Sequence, residues 1–382
     1  MRLEEHEVHP RGQERGHLSR LGEEEQRQQG LLQAGLHQEP RHGKRLRGLL
    51  RVPVGESPTF MRRVRLSYGS AVELGLIKGV LRAKPTTAYL FLKDVRCRGR
   101  CRFCPQSSDM GDEEERISRV DWPEFALDDV EKGVSSNRKF QRVCIQCSDE
   151  HSVKEGVLGL VRELKGGSDL PISVSTSPIS LEQMKRIREA GAEILTIPLD
   201  CAGEALFPLI KGRSWDDHWR ALRDALGVFG TGKVGTHIIV GLGETEKEVV
   251  TLIDRLWRMG VVPSLFAFTP IRGTPLEGKP APALSAYRRI QLARHLIVEL
   301  GAAAKEFRFD KDGNIAEFCV PAERLDEALK DGATFMTRGC PGCNRPYFNE
   351  RVSGPIFNYA NRPRPEDMAR IKGDIFGSAE GH

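Results

Sequence analysis

The strongest constraint on the fold is a regular alternation of strand-like and helix-like segments that begins at Thr86. Short apolar runs rich in β-branched or aromatic residues predict strands at 88–92, 142–146, 172–175, 193–199, 234–241 and 264–269. Amphipathic segments predict helices at 152–164, 181–190, 215–229, 246–259 and 285–300. At least six such repeats predict an α/β fold with a parallel sheet, a (β/α)8 TIM-type barrel that is full or partial.

Local signals agree with these helices. Ser180 is a predicted N-cap, Gln183 is its capping-box partner, and Gly191 closes the same helix. In a parallel α/β fold the chemistry lies at the carboxyl ends of the strands.

The two ends of the chain differ from its middle. Residues 1–60 contain no Asp, Ile, Asn, Tyr, Trp or Cys, which predicts a disordered segment or one that lies upstream of the true start at Met61. A basic run at 41–47 is interpreted as solvated, so no nucleic-acid partner is expected. Residues 61–85 are predicted as a lead-in, 86–345 as the barrel, and 346–382 as a loop-like extension rich in Pro, Asn and Gly.

Charge and cysteine content narrow the class of protein. The 58 Lys and Arg against 53 Asp and Glu give a net charge of +5, too mild to indicate nucleic acid. No apolar run reaches the ~20 residues of a membrane span, so no membrane association is expected. Nine cysteines without a recognisable secretory signal favour a reducing cytoplasm, where thiols serve as metal ligands or catalytic groups.

The most specific motif follows the first predicted strand. Cys97, Cys101 and Cys104 have the spacing C-x3-C-x2-C and alternate with arginines. Thiolates favour zinc or an iron–sulfur cluster, and structural zinc usually takes four ligands. Three thiolates on a four-iron cluster leave one iron open to bind another molecule.

This motif resembles the radical S-adenosylmethionine (SAM) superfamily, and residues 101–107 resemble its biotin synthase branch. The resemblance implies that Cys97, Cys101 and Cys104 hold a 4Fe–4S cluster whose open iron binds SAM. Reductive cleavage of SAM would give a 5′-deoxyadenosyl radical that abstracts hydrogen from an unactivated C–H bond. The resemblance covers about residues 85–363.

The resemblance also implies which residues contact SAM. Phe103 precedes the third cysteine, and Asp200 matches the position that contacts the SAM ribose. A glycine-containing segment that supports SAM corresponds to Gly241, Gly243 and Glu244, although such a segment is often only a tight turn. Ser175 and Ser177 are further candidates, with capping of the following helix as the alternative.

A second cluster is also expected. Biotin synthase holds one with three Cys and one Arg, and Cys144 matches the first of these positions. The other two Cys positions fall near Ser173 and Gly235, so two of the three thiolates are missing. Arg308 falls roughly where the arginine lies, or it is an ordinary ion-paired strand residue.

Replacement ligands are predicted at the far end of the chain. Cys340 and Cys343 flank Pro-Gly near the expected eighth strand and, with Cys144, would hold an auxiliary 4Fe–4S cluster. Cys147 is an alternative ligand, although residues three apart on a strand usually face opposite sides. A zinc site formed by Cys144, Cys147, Cys340 and Cys343 is the competing interpretation. Cys201 and Cys319 are expected to be buried small residues.

Residues 340–350 and 142–146 resemble the components of the archaeal-type two-protein lipoyl synthase. This resemblance implies sulfur insertion into an octanoyl chain on a carrier protein, either a lipoyl domain or the glycine-cleavage H protein. A second radical SAM protein would insert the other sulfur, and ferredoxin or flavodoxin would donate electrons. The alternatives are biotin synthase acting on dethiobiotin, a radical SAM methyltransferase and a carbon–carbon bond-forming enzyme.

Overall fold

The computed structural model describes residues 63–93, 97–110, 116–149 and 151–377, without the side chains of 151–154. The chain divides into two units, residues 1–56 and 57–382. The first unit lies outside the described residues, and so does the whole predicted segment 1–60. All of the described residues belong to the second unit.

The centre of the second unit is an eight-stranded sheet. In chain order the strands are β1 (Arg63–Leu66), β2 (Thr87–Leu92), β3 (Arg116–Ile117), β4 (Val120–Asp121), β5 (Glu124–Ala126), β6 (Arg142–Cys147), β7 (Ile172–Ser175), β8 (Ala192–Thr196), β9 (Val234–Val240), β10 (Val261–Ala267), β11 (Phe307–Phe309) and β12 (Ile315–Phe318). The order across the sheet is β10-β9-β8-β7-β6-β2-β1-β5. The six strands from β10 to β2 are parallel, and β1 pairs antiparallel with both β2 and β5. The partial barrel is therefore confirmed.

Helices follow most of the parallel strands. They are α1 (Tyr68–Glu73), α2 (Leu127–Ser136), α3 (His151–Gly167), α4 (Leu181–Glu189), α5 (Phe207–Lys211), α6 (Trp215–Phe229), α7 (Glu246–Met259), α8 (Leu284–Val298), α9 (Ala322–Leu329) and α10 (Pro365–Phe376), with 3₁₀ turns at Ala304–Glu306 and Ala333–Phe335. The capping box at α4 is confirmed: Gln183 N–H donates to Ser180 Oγ at 3.2 Å, and Gly191 follows the helix at φ +111°. No described helix is long and apolar enough to cross a membrane.

Two apolar clusters hold the sheet in place. The large one packs the helices on the outer face, with strand residues such as Leu90, Ile145 and Val174 fully buried. Each such side chain contributes about 1.5–3 kcal/mol. A small cluster of Tyr89, Phe91 and Trp122 lies apart from the first, and Cys144, Cys343 and Phe348 pack against it.

Both flanks of the barrel are more ordered than the sequence predicts. The lead-in 61–85 supplies β1 and α1. The loop-like prediction for 346–382 was wrong at α10, where Pro365 occupies the first turn with Glu366. Ile371 and Ile375, one helical turn apart, are buried in the main core. Tertiary packing of these two residues explains a helix in a segment whose composition favours loops.

Candidate functional site

Cys97, Cys101 and Cys104 line a cavity of about 230 Å³ at the carboxyl ends of the parallel strands. Ser175 at the end of β7 and Ala267 at the end of β10 line the same cavity. We call it the first cavity. The loop that carries the cysteines is held by backbone groups: Asp149 N–H donates to Cys97 Sγ at 3.3 Å, and Cys104 N–H donates to the Cys101 carbonyl at 3.0 Å.

The surroundings of these thiols suit an anionic cluster. Burial raises the pKa of the Cys101 and Cys104 thiols, and Lys211 acts in the opposite direction on both. A Cβ added at Gly99 would meet Cys97 Sγ at 3.3 Å and an Arg213 guanidinium nitrogen at 3.4 Å, so glycine lets the loop close around a sulfur and a cation. Three half-buried cysteines that line one cavity beside two cations fit a thiolate-held iron–sulfur cluster.

A single metal ion requires its ligand atoms to lie closer together than a four-iron cluster does. Zinc holds its thiolates at about 2.3 Å, which requires the sulfurs to converge closely. Within the described ranges, no three His, Cys, Asp or Glu side chains form a group that could hold one metal ion. A four-iron cluster is wider, because each thiolate binds a different iron.

Four of the predicted SAM-contacting residues line the first cavity: Phe103, Ser175, Ser177 and Asp200. Asp200 has a left-handed backbone (φ +64°), and its carboxylate forms a buried ion pair with Lys211 Nζ. Ser177 Oγ donates to Asp149 Oδ1 at 2.8 Å. The cavity therefore gathers residues that the sequence resemblance assigns to SAM, and their contact with it stays a prediction.

Gly241, Gly243 and Glu244 are placed differently, because the lining of the first cavity does not include them. Glu244 instead accepts hydrogen bonds from Gly241 N–H at 2.5 Å and Leu242 N–H at 3.1 Å. Gly241 and Gly243 have φ of +106° and +138°, where an L side chain is strained. The tight-turn interpretation describes this segment, because its carboxylate closes its own loop.

The second cysteine set converges around one position of β6. Cys144 pairs in register with Tyr89 on β2 and with Ser173 on β7. Cys343 Sγ lies 3.3 Å from Tyr89 Oη, and Cys340 Sγ lies 3.3 Å from Ser173 Oγ. The structure therefore brings Cys340 to the serine that stands near one of the missing thiolate positions.

Cys340 and Cys343 lie in a turn, so the prediction that places them near an eighth strand was wrong for the described chain. Pro341 has no N–H for a ladder, and Gly342 has φ +79°. Cys343 N–H donates to the Cys340 carbonyl at 3.0 Å, which closes the turn. The two sulfurs are thus presented from a compact knuckle.

Long-range hydrogen bonds fix this knuckle against the sheet. Arg142, only 3% exposed, donates from Nε to the Pro341 carbonyl at 3.1 Å and from Nη1 to Ser173 Oγ at 2.9 Å. Asn344 accepts from Thr86 N–H at 3.0 Å and donates to the Lys84 carbonyl at 2.8 Å. These contacts hold the knuckle between the starts of β2 and β6.

The remaining cysteines divide among other environments. Cys147 packs against the main core and lines the first cavity, away from the small cluster that Cys144 contacts, as alternating strand faces require. In the competing four-cysteine zinc site, Cys147 would therefore lie on the opposite face of β6 from Cys144. Cys201 is buried as predicted, but Cys319 is exposed because the strand before it belongs to a short peripheral hairpin.

The arginine near the second set is Arg345 rather than Arg308. Arg308 forms an ion pair with Glu317 on the β11–β12 hairpin, which confirms the ordinary ion-pair interpretation. Arg345 was missed by sequence reasoning, although it follows Cys343 by two positions. Its guanidinium lies 3.9 Å from the Phe348 ring centroid, and Nη2 donates to Gln146 Oε1 at 2.7 Å.

Lys211, Arg213 and His237 also line the first cavity and carried no sequence signal. Lys211 is the last residue of α5 and Arg213 follows that helix, and their ion pairs with Asp200 and Asp149 place two cations beside the first cysteine set. Burial, then Arg345, then Lys211 lower the pKa of His237 to about 3, so its imidazole is neutral at physiological pH.

The Asp200–Lys211 pair supports a stability prediction. Lys211→Met removes the cation but leaves Asp200 buried, and losing one partner of a buried pair costs about 3–5 kcal/mol of unfolding free energy. Urea denaturation of the apoprotein measures the loss. The double variant Asp200→Asn/Lys211→Met, which leaves no unpaired charge, is expected to recover most of it. A single variant within about 1 kcal/mol of wild type would contradict the prediction.

Comparison with known proteins agrees with this site. Residues 95–256 match the family model described as the Radical SAM superfamily, and they include the first cysteine set. This segment of the chain is therefore similar to the Radical SAM superfamily, and that similarity implies a 4Fe–4S cluster with SAM at the first cysteine set.

Its curated relatives include biotin synthases at low identity. The biotin synthase of Acetivibrio thermocellus is 25% identical over 242 residues, covering 58% of this chain and 72% of that protein. That of Acinetobacter calcoaceticus is 28% identical over 243 residues, covering 60% and 71%. That of Cutibacterium acnes is 30% identical over 197 residues, covering 49% and 52%. Among solved structures, a methylornithine synthase superposes with a TM-score of 0.44 at 18% identity, covering 55% of this chain and 62% of the other.

Proposed function

We propose that this protein is a radical SAM sulfur-insertion enzyme of the lipoyl synthase type. Its substrate would be an octanoyl chain carried on a lysine of a lipoyl domain or glycine-cleavage H protein. The sulfur would come from an auxiliary 4Fe–4S cluster held by Cys144, Cys340 and Cys343. A second radical SAM protein would insert the other sulfur, and an electron donor of the ferredoxin or flavodoxin class would supply the electron that cleaves SAM.

One observation carries the proposal. Cys340 Sγ, in the knuckle from the far end of the chain, lies 3.3 Å from Ser173 Oγ. Ser173 is the residue of β7 that pairs in register with Cys144 on β6. A second thiol set facing the barrel interior is what an internal sulfur donor requires. Burial raises the pKa of the Cys144 and Cys343 thiols, while Arg345 and Arg142 lower it, so the thiolates a cluster needs have cations nearby.

Several residues of the first cavity have a role in this scheme. When bound, the cluster and SAM supply the radical that breaks an unactivated C–H bond. Lys211 orients the Asp200 carboxylate toward the predicted SAM ribose, and Arg213 holds Asp149 against the Cys97 loop. Neutral His237 and Phe266 pack ring to ring at 4.9 Å and give the substrate chain an apolar wall.

The net change conserves atoms and electrons. One C–H bond breaks and its hydrogen leaves in 5′-deoxyadenosine. Cys144, Cys340 and Cys343 would hold the auxiliary cluster, which would supply the sulfide for one new C–S bond and accept the one electron that this step releases.

The test is anaerobic turnover of the reconstituted protein with an octanoyl-lysyl peptide, SAM, reductant and the partner protein. We expect a product heavier by one sulfur in mass spectrometry, at most about one per auxiliary cluster. SAM cleavage without any thiolated product would contradict the proposal.

Biotin synthase is the second candidate, because the curated relatives include proteins of that name. Ser173 and Gly235, near two of the three positions where biotin synthase has cysteine, count against it. Dethiobiotin in place of the octanoyl peptide distinguishes the two. Turnover of dethiobiotin alone would replace the first proposal with the second.

A further inference from the structure

A second cavity of about 290 Å³ shares a wall with the first, because Arg345 and Phe348 line both. Tyr89 also lines the second cavity, and its hydroxyl lies 3.3 Å from Cys343 Sγ. One wall of the second cavity therefore lies beside the Cys343 sulfur.

The rim of the second cavity is unusually apolar. Within the described residues, seven large hydrophobic side chains are exposed, and three of them line this cavity: Tyr68 at 41%, Val80 at 94% and Val352 at 50%. Grouped exposed apolar residues mark binding sites more often than scattered ones do. The rim thus favours an apolar ligand that enters from the surface.

Two buried donors on its walls lack acceptors. Trp122 is 1% exposed, and its indole N–H has no hydrogen-bond partner among the described residues. Arg345 Nε is also buried and has no hydrogen-bond partner among the described residues. Because an unpaired buried donor is unfavourable, an occupant with a carbonyl oxygen would satisfy a need that the protein leaves open.

The mouth carries positive charge. Arg82 and Arg119 line the cavity, and Arg351 is close enough to lower the pKa of Arg119, whose largest cause of lowering is burial. None of the three side chains forms an ion pair or a hydrogen bond with another described residue, although the Glu350 carboxyl is close enough to raise the pKa of Arg119. Asp121 is an acidic group on the same lining. Such an excess of unpaired arginines complements an acidic protein surface.

We propose that the second cavity is the entrance for the substrate arm of an acidic carrier protein. The octanoyl chain enters along the apolar walls, the Trp122 N–H donates to the amide carbonyl that joins the chain to its lysine, and the three arginines dock the carrier. This inference rests on the proposed function and names the surface that its partner uses.

Binding tests the surface without needing catalysis. A fluorescently labelled lipoyl domain, octanoylated or bare, is titrated with the full chain and anisotropy is followed. Arg82→Glu/Arg119→Glu is expected to weaken binding of both forms at least tenfold. Trp122→Phe retains an aromatic side chain but removes the N–H donor, and it is expected to weaken only the octanoylated form, by roughly threefold to tenfold.

A matched control makes the same charge change elsewhere. Lys185→Glu/Arg223→Glu alters two exposed residues of α4 and α6, away from the cavity, and is expected to bind like wild type. An equal loss in the control, or undetectable binding by wild type, would overturn the docking site. Normal binding without sulfur insertion would overturn the proposed function and leave the docking site standing.

A benzophenone side chain at position 80 identifies the occupant. A cross-link to the carrier supports the inference. A cross-link only to residues 1–62 of the same chain would show that the mouth is covered from within, and would overturn it.

Discussion

Cys340→Ala/Cys343→Ala is expected to lower the iron content from about eight to about four atoms per chain, because one of two four-iron clusters loses two thiolates. SAM cleavage should persist, since the first cysteine set is untouched, while thiolated product should disappear. The backbone and side-chain bonds of Arg142 and Asn344 to the knuckle do not involve the two sulfurs, so they still support the apoprotein fold. Iron and sulfide assays after anaerobic reconstitution give the result directly.

Cys319→Ala is the matched control for this variant, because it removes an exposed thiol outside both sets. It should retain about eight irons and full sulfur insertion. Four irons in the wild type and in the double variant alike would remove the auxiliary cluster and the sulfur-insertion proposal with it. Zinc in place of iron at the knuckle would have the same consequence.

Cys101→Ala is expected to remove the first cluster and to leave the auxiliary cluster in place, the reverse of the result for the knuckle variant. It should also retain about four irons, now in the auxiliary cluster, but lose SAM cleavage completely. Cys101 lines the first cavity, and Lys211 and Cys97 are close enough to act on the pKa of its thiol, which burial raises. Release of 5′-deoxyadenosine under reducing conditions, followed by chromatography, measures the loss.

The two variants together make the assignment specific. They share an iron count but differ in which reaction survives, so a general folding defect cannot mimic both results. Measurable 5′-deoxyadenosine from Cys101→Ala would contradict the assignment of the first set to SAM.

Much of the barrel could be predicted because local signals were strong. Trp215–Phe229 and Glu246–Met259 match their predicted bounds, since each has an amphipathic pattern and a side-chain N-cap, from Ser214 and Thr245. β1 and β5 were missed because strands of four and three residues carry too little periodicity. β1 pairs with the edge strand β2, and β5 pairs with β1, so tertiary contacts rather than the local sequence set the positions of both strands.

The part of the site that depends on the spacing of neighbouring residues could be predicted from the sequence. The first cysteine motif was recognisable from its spacing, while the auxiliary set rested on a family resemblance and stays a prediction. Arg345 donates to Gln146, 199 positions away, and no local pattern reports such a contact. At Gly241 the family resemblance predicted a contact with SAM, but the structure shows a tight turn in which the Glu244 carboxylate accepts the Gly241 N–H.

The link between Cys144 and the knuckle has a consequence for how the protein is made. Residues 97–104 leave the ribosome early and form a complete set of thiols within eight positions. The auxiliary set is complete only after Cys343 has been synthesised and the Arg142 and Asn344 contacts have closed the chain on itself. In the proposed scheme the first cysteine set is therefore synthesised before the auxiliary set is complete, and we expect the auxiliary cluster to be filled only after Cys343 and its contacts have formed.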